Sequence, residues 1–487
     1  MNFRYLKACS AGLFLALAFS SAALAQTQIG SDLNGEFEND RFGSRVALSA
    51  DGNRMVVGAF TNAETFANAG QVQVFENISG NWVQIGQDIN GTAVDARLGQ
   101  SVAISADGTI IAAGEATAEN PAGEGKVRVF ELTNGTWVQF GQDLLGSEVG
   151  ITTFGNEVCL SADGSTLAVG SPSSFDRAGS VVVYQNLGGT WVQFGDIIVG
   201  ASTSDDLTGN SVLGSGISLS ADGLRLAAGG ADFFGGGELS VFDFDFFTND
   251  WTQVGQTIVG SFNDNDRLGT SVSLSDDGSI VAASAIGNGD GGVRAGAARV
   301  FRDTGGTWTQ IGSDLNGTDF NEFGASVSLS GDGNILAVGA FGNGMPGTVN
   351  ADGTITPPEG PSERIFRNEN DNWVELARVS GEPGSFFGLQ SQISSDGLTL
   401  AVGAQSFDGN GFDRGLVRAF DLEPLFVLHG DVNLDDIVNF LDIAPFISVL
   451  AGGGSPVEEA AADCNLDGVV SFLDIAPFIV ALTSAGQ

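Results

Sequence analysis

An Asp-Gly turn that recurs in phase at seven positions constrains this chain more than any other feature. The spacings between successive copies are 56, 56, 59, 55, 55 and 64 residues, with the aspartates at Asp51, Asp107, Asp163, Asp222, Asp277, Asp332 and Asp396. Each unit repeats the same order of short β-type segments. A period of this length made only of strands is typical of a β-propeller in which each unit forms one blade. The sequence therefore predicts an all-β, seven-bladed β-propeller.

Four strands are predicted in each unit from the alternation of apolar and polar residues between turn residues. The first strand alternates, as in "SVAIS", and the second is rich in small residues, as in "LAVGA". The third alternates, as in "KVRVF", and the fourth contains tryptophan, as in "WVQFG". Asn134-Gly135 suits a type I′ turn between the third and fourth strands. We expect the repeated Trp, Phe and Val side chains to pack within and between blades. Cys159 occupies a slot that holds Ala or Ser in other copies, so we expect it to fill the core.

The repeats lack one copy of the fourth strand, and the missing copy lies at the N-terminus. Six Trp strands follow third strands, but the last repeat ends at "LVRAF". The segment Thr27–Gly35, "TQIGSDLNG", repeats Thr309–Gly317. The N-terminal strand is therefore predicted to complete the last blade and to close the ring, which removes the open edges of the sheets.

These repeats resemble the FG-GAP family of propellers, the type found in integrin α-subunit heads. The matching residues include Phe42-Gly43, Gly58-Ala59-Phe60, Phe323-Gly324 and Gly339-Ala340, and the resemblance covers about Thr27–Asp421. Integrin-type blades often carry an acidic calcium loop between the first two strands. Here that connection is only "SADG" or "SDDG", which is too short to surround an ion with about 6–8 oxygen ligands, so we predict no calcium in the blades.

Three segments depart from the repeat or concentrate acids. Asn343–Pro361 is an insertion, which could carry function or be a tolerated surface excursion. Gly229–Phe247 contains several Phe residues beside acids, which could stack on a sugar but are more simply expected to pack against a neighbouring blade. Clusters at Asn263–Asp266 and Phe407–Asp413 could bind cations weakly, and solvated turn residues are the simpler interpretation.

The last sixty residues contain a different repeat. "DVNLDDIVNFLD" at Asp431–Asp442 and "DCNLDGVVSFLD" at Asp463–Asp474 are each followed by the same short apolar stretch. Both carry oxygen donors at positions 1, 3, 5, 9 and 12, with a backbone carbonyl at position 7, which is the spacing of an EF-hand calcium loop. The sequence thus predicts two calcium ions. Their ligands are Asp431, Asn433, Asp435, Ile437, Asn439, Asp442, Asp463, Asn465, Asp467, Val469, Ser471 and Asp474.

This tail resembles a type I dockerin, a small helical domain with two calcium loops that docks onto cohesin modules of a scaffold or cell surface. The resemblance implies a cohesin-like partner, with polysaccharide-degrading enzymes as the best-known cargo. Cellulosomal dockerins usually carry hydroxyl residues at loop positions 10 and 11. This chain has apolar residues there, which either contact an apolar groove on a different partner or form the core of the domain: Phe440, Leu441, Phe472 and Leu473.

Composition limits the function classes. The chain has 19 basic and 59 acidic residues, a net charge of −40, which disfavours nucleic acid as a ligand. Its single histidine, His429, makes a histidine-based zinc site or catalytic triad improbable. A basic start, the apolar run "AGLFLALAF" and Ala23-Leu24-Ala25 predict a cleaved signal peptide, and no other run is long enough for a membrane helix.

The predicted organisation is a signal peptide at residues 1–25, the propeller at 26–422, a linker at 423–429 and the dockerin-like domain at 430–487. We favour an exported, non-catalytic binding or adhesion protein whose propeller presents a surface for a glycan or protein. The first alternative is a dockerin-bearing enzyme that hydrolyses glycosidic bonds with a pair of carboxylates, which the sequence cannot single out among so many acids. The second alternative is a structural extracellular component.

Overall fold

Seven antiparallel sheets, arranged around one axis, contain almost all the strands of the protein. A computed structural model describes residues 27–116, 125–149, 151–200, 212–230, 235–262, 265–342, 348–349, 355–356, 359–408, 412–426, 443–450 and 462. The innermost strand of each sheet contacts the innermost strand of the next, and the last contacts the first. The protein is therefore a closed seven-bladed propeller, as predicted.

The chain enters through two short strands, β1 (Thr27–Gln28) and β2 (Leu33–Asn34), and then forms the blades in order. Blade 1 comprises β3 (Arg45–Leu48), β4 (Arg54–Ala59), β5 (Gln71–Ile78), β6 (Asn81–Gln84) and β7 (Ile89–Asn90). Blade 2 comprises β8 (Ser101–Ile104), β9 (Ile110–Glu115), β10 (Lys126–Thr133), β11 (Thr136–Gln139) and β12 (Leu144–Leu145). Blade 3 comprises β13 (Glu157–Leu160), β14 (Thr166–Ser171), β15 (Ser180–Asn186), β16 (Trp191–Gln193) and β17 (Ile198–Val199).

The remaining blades follow the same plan. Blade 4 comprises β18 (Gly216–Leu219), β19 (Arg225–Gly230), β20 (Glu238–Asp245), β21 (Asp250–Gln253) and β22 (Ile258–Val259). Blade 5 comprises β23 (Leu268–Leu274), β24 (Ile280–Ala285), β25 (Ala297–Asp303), β26 (Trp308–Gln310) and β27 (Leu315–Asn316). Blade 6 comprises β28 (Phe323–Leu329), β29 (Ile335–Ala340), β32 (Ser362–Glu369) and β33 (Asn372–Ser380), with a separate small ladder of β30 (Thr348–Val349) and β31 (Ile355–Thr356) inside the insertion. Blade 7 comprises β34 (Gln390–Ile393), β35 (Thr399–Ala404) and β36 (Leu416–Asp421).

The N-terminal strand closes the ring as the repeat count predicted. β1 and β2 both pair antiparallel with β36, so the first described residues supply the outer strand of blade 7. An ion pair supports this closure, because Arg418 of β36 donates to Asp32 over 3.0 Å. The hairpin prediction is also confirmed, since Asn134 and Gly135 both have positive φ, at 51° and 77°, as a type I′ turn requires.

The Trp strands join neighbouring blades. The indole N–H of Trp137 donates to the carbonyl of Ile85 in the preceding blade over 3.0 Å, and Trp191, Trp251 and Trp308 make the equivalent bond. These four indole rings are at most 8% exposed. Each of these tryptophans therefore buries a large apolar ring and satisfies its single donor at a blade junction.

The Phe-Gly motifs turn the chain from one blade into the next. Two residues before each motif glycine, the backbone is left-handed with φ between 50° and 57°, at Arg41, Arg97, Thr153, Val212, Arg267, Glu322 and Phe386. The motif glycine itself has positive φ, which is accessible without strain only to Gly. Its carbonyl approaches the second strand of the previous blade so closely that a Cβ on Gly58 would lie 2.2 Å from the oxygen of Gly99. Contact between blades thus explains why this position of the motif holds a glycine.

A few short helices complete the described chain: α1 (Gly146–Val149), α2 (Ser174–Arg177), a 3₁₀ helix (Glu423–Phe426) and α3 (Ile443–Leu450). In α2, Phe175 and Asp176 have φ of 50° and 54°, so it is a tight turn and not a regular right-handed helix. Leu425 of the 3₁₀ helix packs against the core of blade 7, which places the start of the predicted linker against the propeller.

Residues Gln26–Phe426 form one compact unit, and Val427–Gln487 belong to a second. The only regular element described in the second unit is α3, which follows the first predicted calcium loop.

Candidate functional site

The propeller has two unlike faces. The turn face carries the seven Asp-Gly turns, in each of which a serine hydroxyl donates to the aspartate over 2.5–2.7 Å. Burial raises the pKa of Asp51, but hydrogen bonds from Ser49 and Asn53 outweigh it and hold the pKa below its usual value. The carboxylates of the turns are thus occupied by the turns themselves.

The loop face is the opposite end, where the second strand of each blade connects to the third and each blade connects to the next. These connections contact one another: the N–H of Asp95 donates to the carbonyl of Ala67, and that of Phe320 to Val293, each over 2.8 Å. The insertion of blade 6 belongs to this set of connections. The connections between the second and third strands differ in length from blade to blade, whereas the Asp-Gly connections do not.

A ring of backbone hydrogen bonds surrounds the central channel at the turn face. In six of the turns the residue before the aspartate donates its N–H to the carbonyl at the same position of the next blade. In the seventh turn Asp396 itself donates to Ala50 and closes the ring, and the seven bonds are 2.7–3.1 Å long. Across this ring, Ser395 donates to the carboxylate of Asp276 over 2.6 Å, and the bond passes over Gly331, where a Cβ would lie 2.2 Å from both side chains. The backbone groups that form this ring therefore already have hydrogen-bond partners within the propeller.

Side chains in the channel wall link successive inner strands. Ser218, Ser273, Ser328 and Gln392 each accept the N–H of a residue in the next inner strand, over 2.7–3.0 Å. Cys159 occupies the same position in blade 3 and lines the channel as well as packing against a blade core. Burial raises the pKa of its thiol, so it is a poor nucleophile. The expectation that Cys159 is only core filler was therefore incomplete.

At the loop face the channel opens into a cavity of about 730 Å³. Residues near the start of the inner strands of blade 1 and of blades 3 to 7 form the floor, and the loops of blades 4 to 6 form much of the rim. Ligand pockets commonly measure about 300–1,000 Å³, so this volume suits a small molecule or the end of a chain. The cavity is the candidate functional site.

Two charged residues break the repeat at the floor of this cavity. The equivalent positions in the seven blades hold Arg45, Ser101, Glu157, Gly216, Ser271, Ser326 and Gln390. Arg45 and Glu157 come from blades 1 and 3, and their side chains lie 3.8 Å apart. Burial raises the pKa of Glu157, and the charge of Arg45 opposes that rise only in part. The sequence prediction missed both residues, although an alignment of the residues that follow each Phe-Gly or Leu-Gly pair would have revealed them.

The rim of the cavity adds further charge and an aromatic surface. Arg267 and Arg294 line it, and Arg294 forms an ion pair with Glu322. Phe341 also lines it and stacks on Phe386 with ring centroids 5.5 Å apart. The cavity therefore combines cationic, polar and aromatic groups.

Five exposed phenylalanines lie in connections of the loop face. Their side chains are 46–64% exposed, and each lies in a different connection: Phe37, Phe66, Phe175, Phe262 and Phe412. Burying such aromatic side chains is a common source of binding energy at interfaces. The loop face thus carries apolar contact area as well as a recess.

Two of the acidic segments behave differently from the sequence expectations. Asp266 is fully buried and accepts from Arg299 over 2.7 Å, so it is an ion-pair partner in the core and not a solvated turn residue. In the Phe-rich segment, Phe244 packs on Phe194 of the previous blade, with centroids 3.7 Å apart. Phe246 and Phe247, at the adjacent hairpin tip, remain 70% and 101% exposed. The packing prediction therefore holds for only part of that segment.

The predicted calcium ligands, from Asp431 to Asp442 and from Asp463 to Asp474, lie outside the described residues. So do the predicted docking residues Phe440, Leu441, Phe472 and Leu473, and the predicted signal peptide. Helix α3 is described: Phe446 and Val449 are buried, whereas Ile443 and Ile447 are exposed at 36% and 59%. Ile447 is an apolar surface residue of this unit that the sequence prediction did not single out.

Among the described residues, no helix is long and apolar enough to span a membrane. Within the same ranges, no three His, Cys, Asp or Glu side chains form a group that could hold a metal ion. In the tail, the oxygen donors of the two predicted loops have the composition that calcium prefers.

Comparison with known proteins identifies two regions. Residues 429–482 match the type I dockerin domain, and residues 35–75 match the FG-GAP repeat. The second match covers the Phe42-Gly43 turn, the first two strands of blade 1 and part of the third. No curated protein matches the chain.

Two solved structures resemble this chain at low identity. A Bacteroides uniformis protein, provisionally described as a 6-phosphogluconolactonase, is 15% identical with a TM-score of 0.50, over 73% of this chain and 90% of its own. Kuenenia stuttgartiensis hydrazine synthase is 14% identical with a TM-score of 0.47, over 80% of this chain and 97% of its own. At 15% identity, the similarity to the Bacteroides uniformis protein concerns the fold alone.

Type I dockerin domains bind calcium and dock onto cohesins, and dockerin and FG-GAP modules belong to extracellular proteins. These properties support a calcium-binding extracellular protein with a cohesin-type partner. The protein is thus a seven-bladed β-propeller that contains an FG-GAP repeat and carries a type I dockerin domain in its C-terminal region.

Proposed function

We propose that this protein is an exported, non-catalytic binding protein that presents the loop face of its propeller to a glycan or protein ligand. The observation that carries the proposal is the contrast between the faces. The turn face ends in regular, internally hydrogen-bonded turns and exposes Phe246 and Phe247 at a single hairpin tip, whereas the loop face holds five exposed phenylalanines and the cavity around Arg45 and Glu157. Binding residues are commonly carried by variable loops on a rigid scaffold.

The dockerin domain attaches this scaffold to a partner. We propose that it holds two calcium ions, one in each loop, with the twelve ligands predicted from the sequence. A domain of about 55 residues has little apolar core, so calcium contributes much of its folding free energy. The partner is a cohesin-like module with an apolar groove, which receives Phe440, Leu441, Phe472 and Leu473. The exposed Ile447 of α3 adds to that surface.

Two measurements on the full mature protein test ligand binding by the propeller and docking by the dockerin domain separately. Glycan-array and protein-interaction screens should detect a ligand, and substitution of exposed phenylalanines such as Phe37 and Phe412 by Ser should weaken its binding. Capture by a cohesin-like partner should require calcium and should be lost in Asp435→Ala/Asp467→Ala, while ligand binding by the propeller persists. Loss of ligand binding in that double variant, with the propeller still folded, would contradict the division of roles.

One observation favours the enzymatic alternative. Burial raises the pKa of Glu157, which shares the cavity with a second carboxyl group, that of Glu322, the ion-pair partner of Arg294. Two carboxyl groups whose environments differ are the usual arrangement of an acid and a base or nucleophile in glycosidases. Release of reducing sugar from a polysaccharide, abolished in Glu157→Gln, would establish the enzyme and exclude the non-catalytic role. Self-assembly in calcium without ligand binding or turnover would instead establish a structural component.

A further inference from the structure

The cavity on the loop face concentrates cations in a strongly acidic protein. The chain has 19 basic residues against 59 acidic ones, and three of the arginines line this one cavity: Arg45, Arg267 and Arg294. The carboxylates in the lining are Glu157 and Glu322. With every group ionised the lining carries a net positive charge, although the net charge of the whole chain is −40. An anion that approaches the loop face is therefore repelled by most of the surface and attracted at this point.

Arg45 has most of its hydrogen-bonding capacity unused. A guanidinium offers five N–H donors. Here Nη1 donates to the carbonyl of Ser44 over 3.0 Å, and Nη2 lies 3.8 Å from Glu157, which exceeds hydrogen-bond length. Within the described part of the chain, Nε is buried without any acceptor. Buried donors are nearly always paired in native proteins, so an unpaired one at a cavity indicates a missing acceptor.

The rest of the lining suits the hydroxyl groups and the faces of a sugar. Oδ1 of Asn265 is buried without a donor among the described residues, and Asn156, Thr270 and Gln390 add polar groups. Phe341, held by its stack on Phe386, adds an aromatic ring. Sugar-sized ligands are commonly held by a few converging polar groups and an apolar or aromatic wall.

We propose that this cavity binds an acidic saccharide, with the sugar carboxylate on the guanidinium of Arg45. Planar guanidinium and carboxylate groups form two parallel hydrogen bonds, which a neutral sugar cannot offer. Asn265 accepts a hydroxyl of the ligand, and Phe341 contacts the ring. This inference rests on the proposed binding function and names the ligand class of its site.

The test is titration calorimetry on the full mature protein in calcium buffer, with digalacturonate as the probe and its methyl ester as the neutral control of the same shape. The acid should bind at least about tenfold more tightly than the ester, because charge-assisted hydrogen bonds are stronger than neutral ones. The difference should shrink as salt is added, since salt screens charge attraction. Citrate tests whether any carboxylate suffices, and citrate binding as tight as digalacturonate would overturn the saccharide assignment.

Variants separate the site from general effects of charge. Arg45→Gln should lose about tenfold or more in affinity for digalacturonate, and Arg45→Lys should fall between it and the natural protein. Arg302→Gln removes the same charge at an ion pair with Asp371, outside the cavity lining, and should leave binding unchanged. If Arg45→Gln does not fold, Arg294→Gln, whose side chain is 55% exposed, provides a second variant at the rim and should also weaken binding.

The possible failures are distinguishable. Equal binding of acid and ester, or equal binding by Arg45→Gln and Arg302→Gln, would overturn this inference and leave the binding function standing. A ligand found in the screens that binds independently of Arg45 would also overturn this inference and leave the binding function standing. Absence of any ligand on the loop face would overturn both this inference and the proposed function.

Discussion

A buried glutamate without a cation makes a sharp prediction about stability and pH. Glu363 of β32 is fully buried, and Ser391 donates to its Oε1 over 2.7 Å, but Oε2 has no partner among the described residues. It pairs with Gly339 at the position where other blades have apolar residues such as Val72 and Val417. Burial raises the pKa of Glu363 well above its ordinary value, and the bond from Ser391 only partly offsets this.

The sign of the effect follows from linkage. Because the folded-state pKa is raised, the unfolded chain releases this proton first as the pH rises above about 4.5. Each pH unit between that value and the folded-state pKa then lowers the free energy of unfolding by about 1.4 kcal/mol. Below a pH of about 4.5, Glu363 does not lower the free energy of unfolding. Above the folded-state pKa, the loss of unfolding free energy no longer grows with pH. Glu363→Gln keeps the shape and the bond to Ser391 but cannot ionise.

We therefore expect Glu363→Gln to stabilise the propeller, with an advantage that widens by about 1.4 kcal/mol per pH unit from pH 5 upward. Urea unfolding followed by tryptophan fluorescence measures this, because all six tryptophans lie in the blades. Working from pH 5 upward avoids the isoelectric point near 4.1. A constant gap between the two proteins across pH would refute the reasoning, since it would mean that Glu363 ionises normally in the folded state.

Glu115 provides the matched control. It is as buried as Glu363, but Arg128 donates to it over 2.8 Å and Lys126 lies 3.2 Å away. Glu115→Gln leaves two cations poorly compensated and should destabilise the propeller by about 3–5 kcal/mol over the same pH range. Opposite effects of the same substitution at two equally buried sites would show that charge pairing, and not burial alone, decides the outcome.

Three further predictions concern closure, blade contact and calcium. Deleting Thr27–Gly35 should destabilise the propeller by several times the effect of removing nine surface residues, because it opens the edge of β36; an unchanged urea midpoint would rule out this closure. Gly58→Ala should lower the free energy of unfolding in urea by about 3 kcal/mol or more, because its Cβ would lie 2.2 Å from the carbonyl oxygen of Gly99. Gly80→Ala should lower it by only about 1 kcal/mol, because no atom lies within 4 Å of the added Cβ. Equal losses in the two variants would contradict the contact between blades. Chelating calcium should unfold the dockerin domain and leave the tryptophan-detected transition unchanged; a large shift in that transition would place calcium in the blades.

The repeat determined most of the fold from sequence alone. Seven Asp-Gly turns set the number of blades, and the surplus N-terminal segment predicted which strand completes blade 7. These features are readable because strand alternation and turn residues are local properties of the chain. The calcium loops were predicted for the same reason, since all the ligands of one loop lie within twelve residues.

The candidate site was decided by the closed ring. Arg45 and Glu157 are far apart in sequence and meet only because blades 1 and 3 face one channel. Asp266 looked like a solvated acid until the fold brought Arg299 to it. Nothing local distinguished Glu115, which is ion-paired with Arg128, from Glu363, whose Oε2 has no partner among the described residues. Local pattern specifies strands and turns because their hydrogen bonds join neighbours in the chain. The charge and burial of a side chain depend on groups from other blades, and only the tertiary structure assembles those groups.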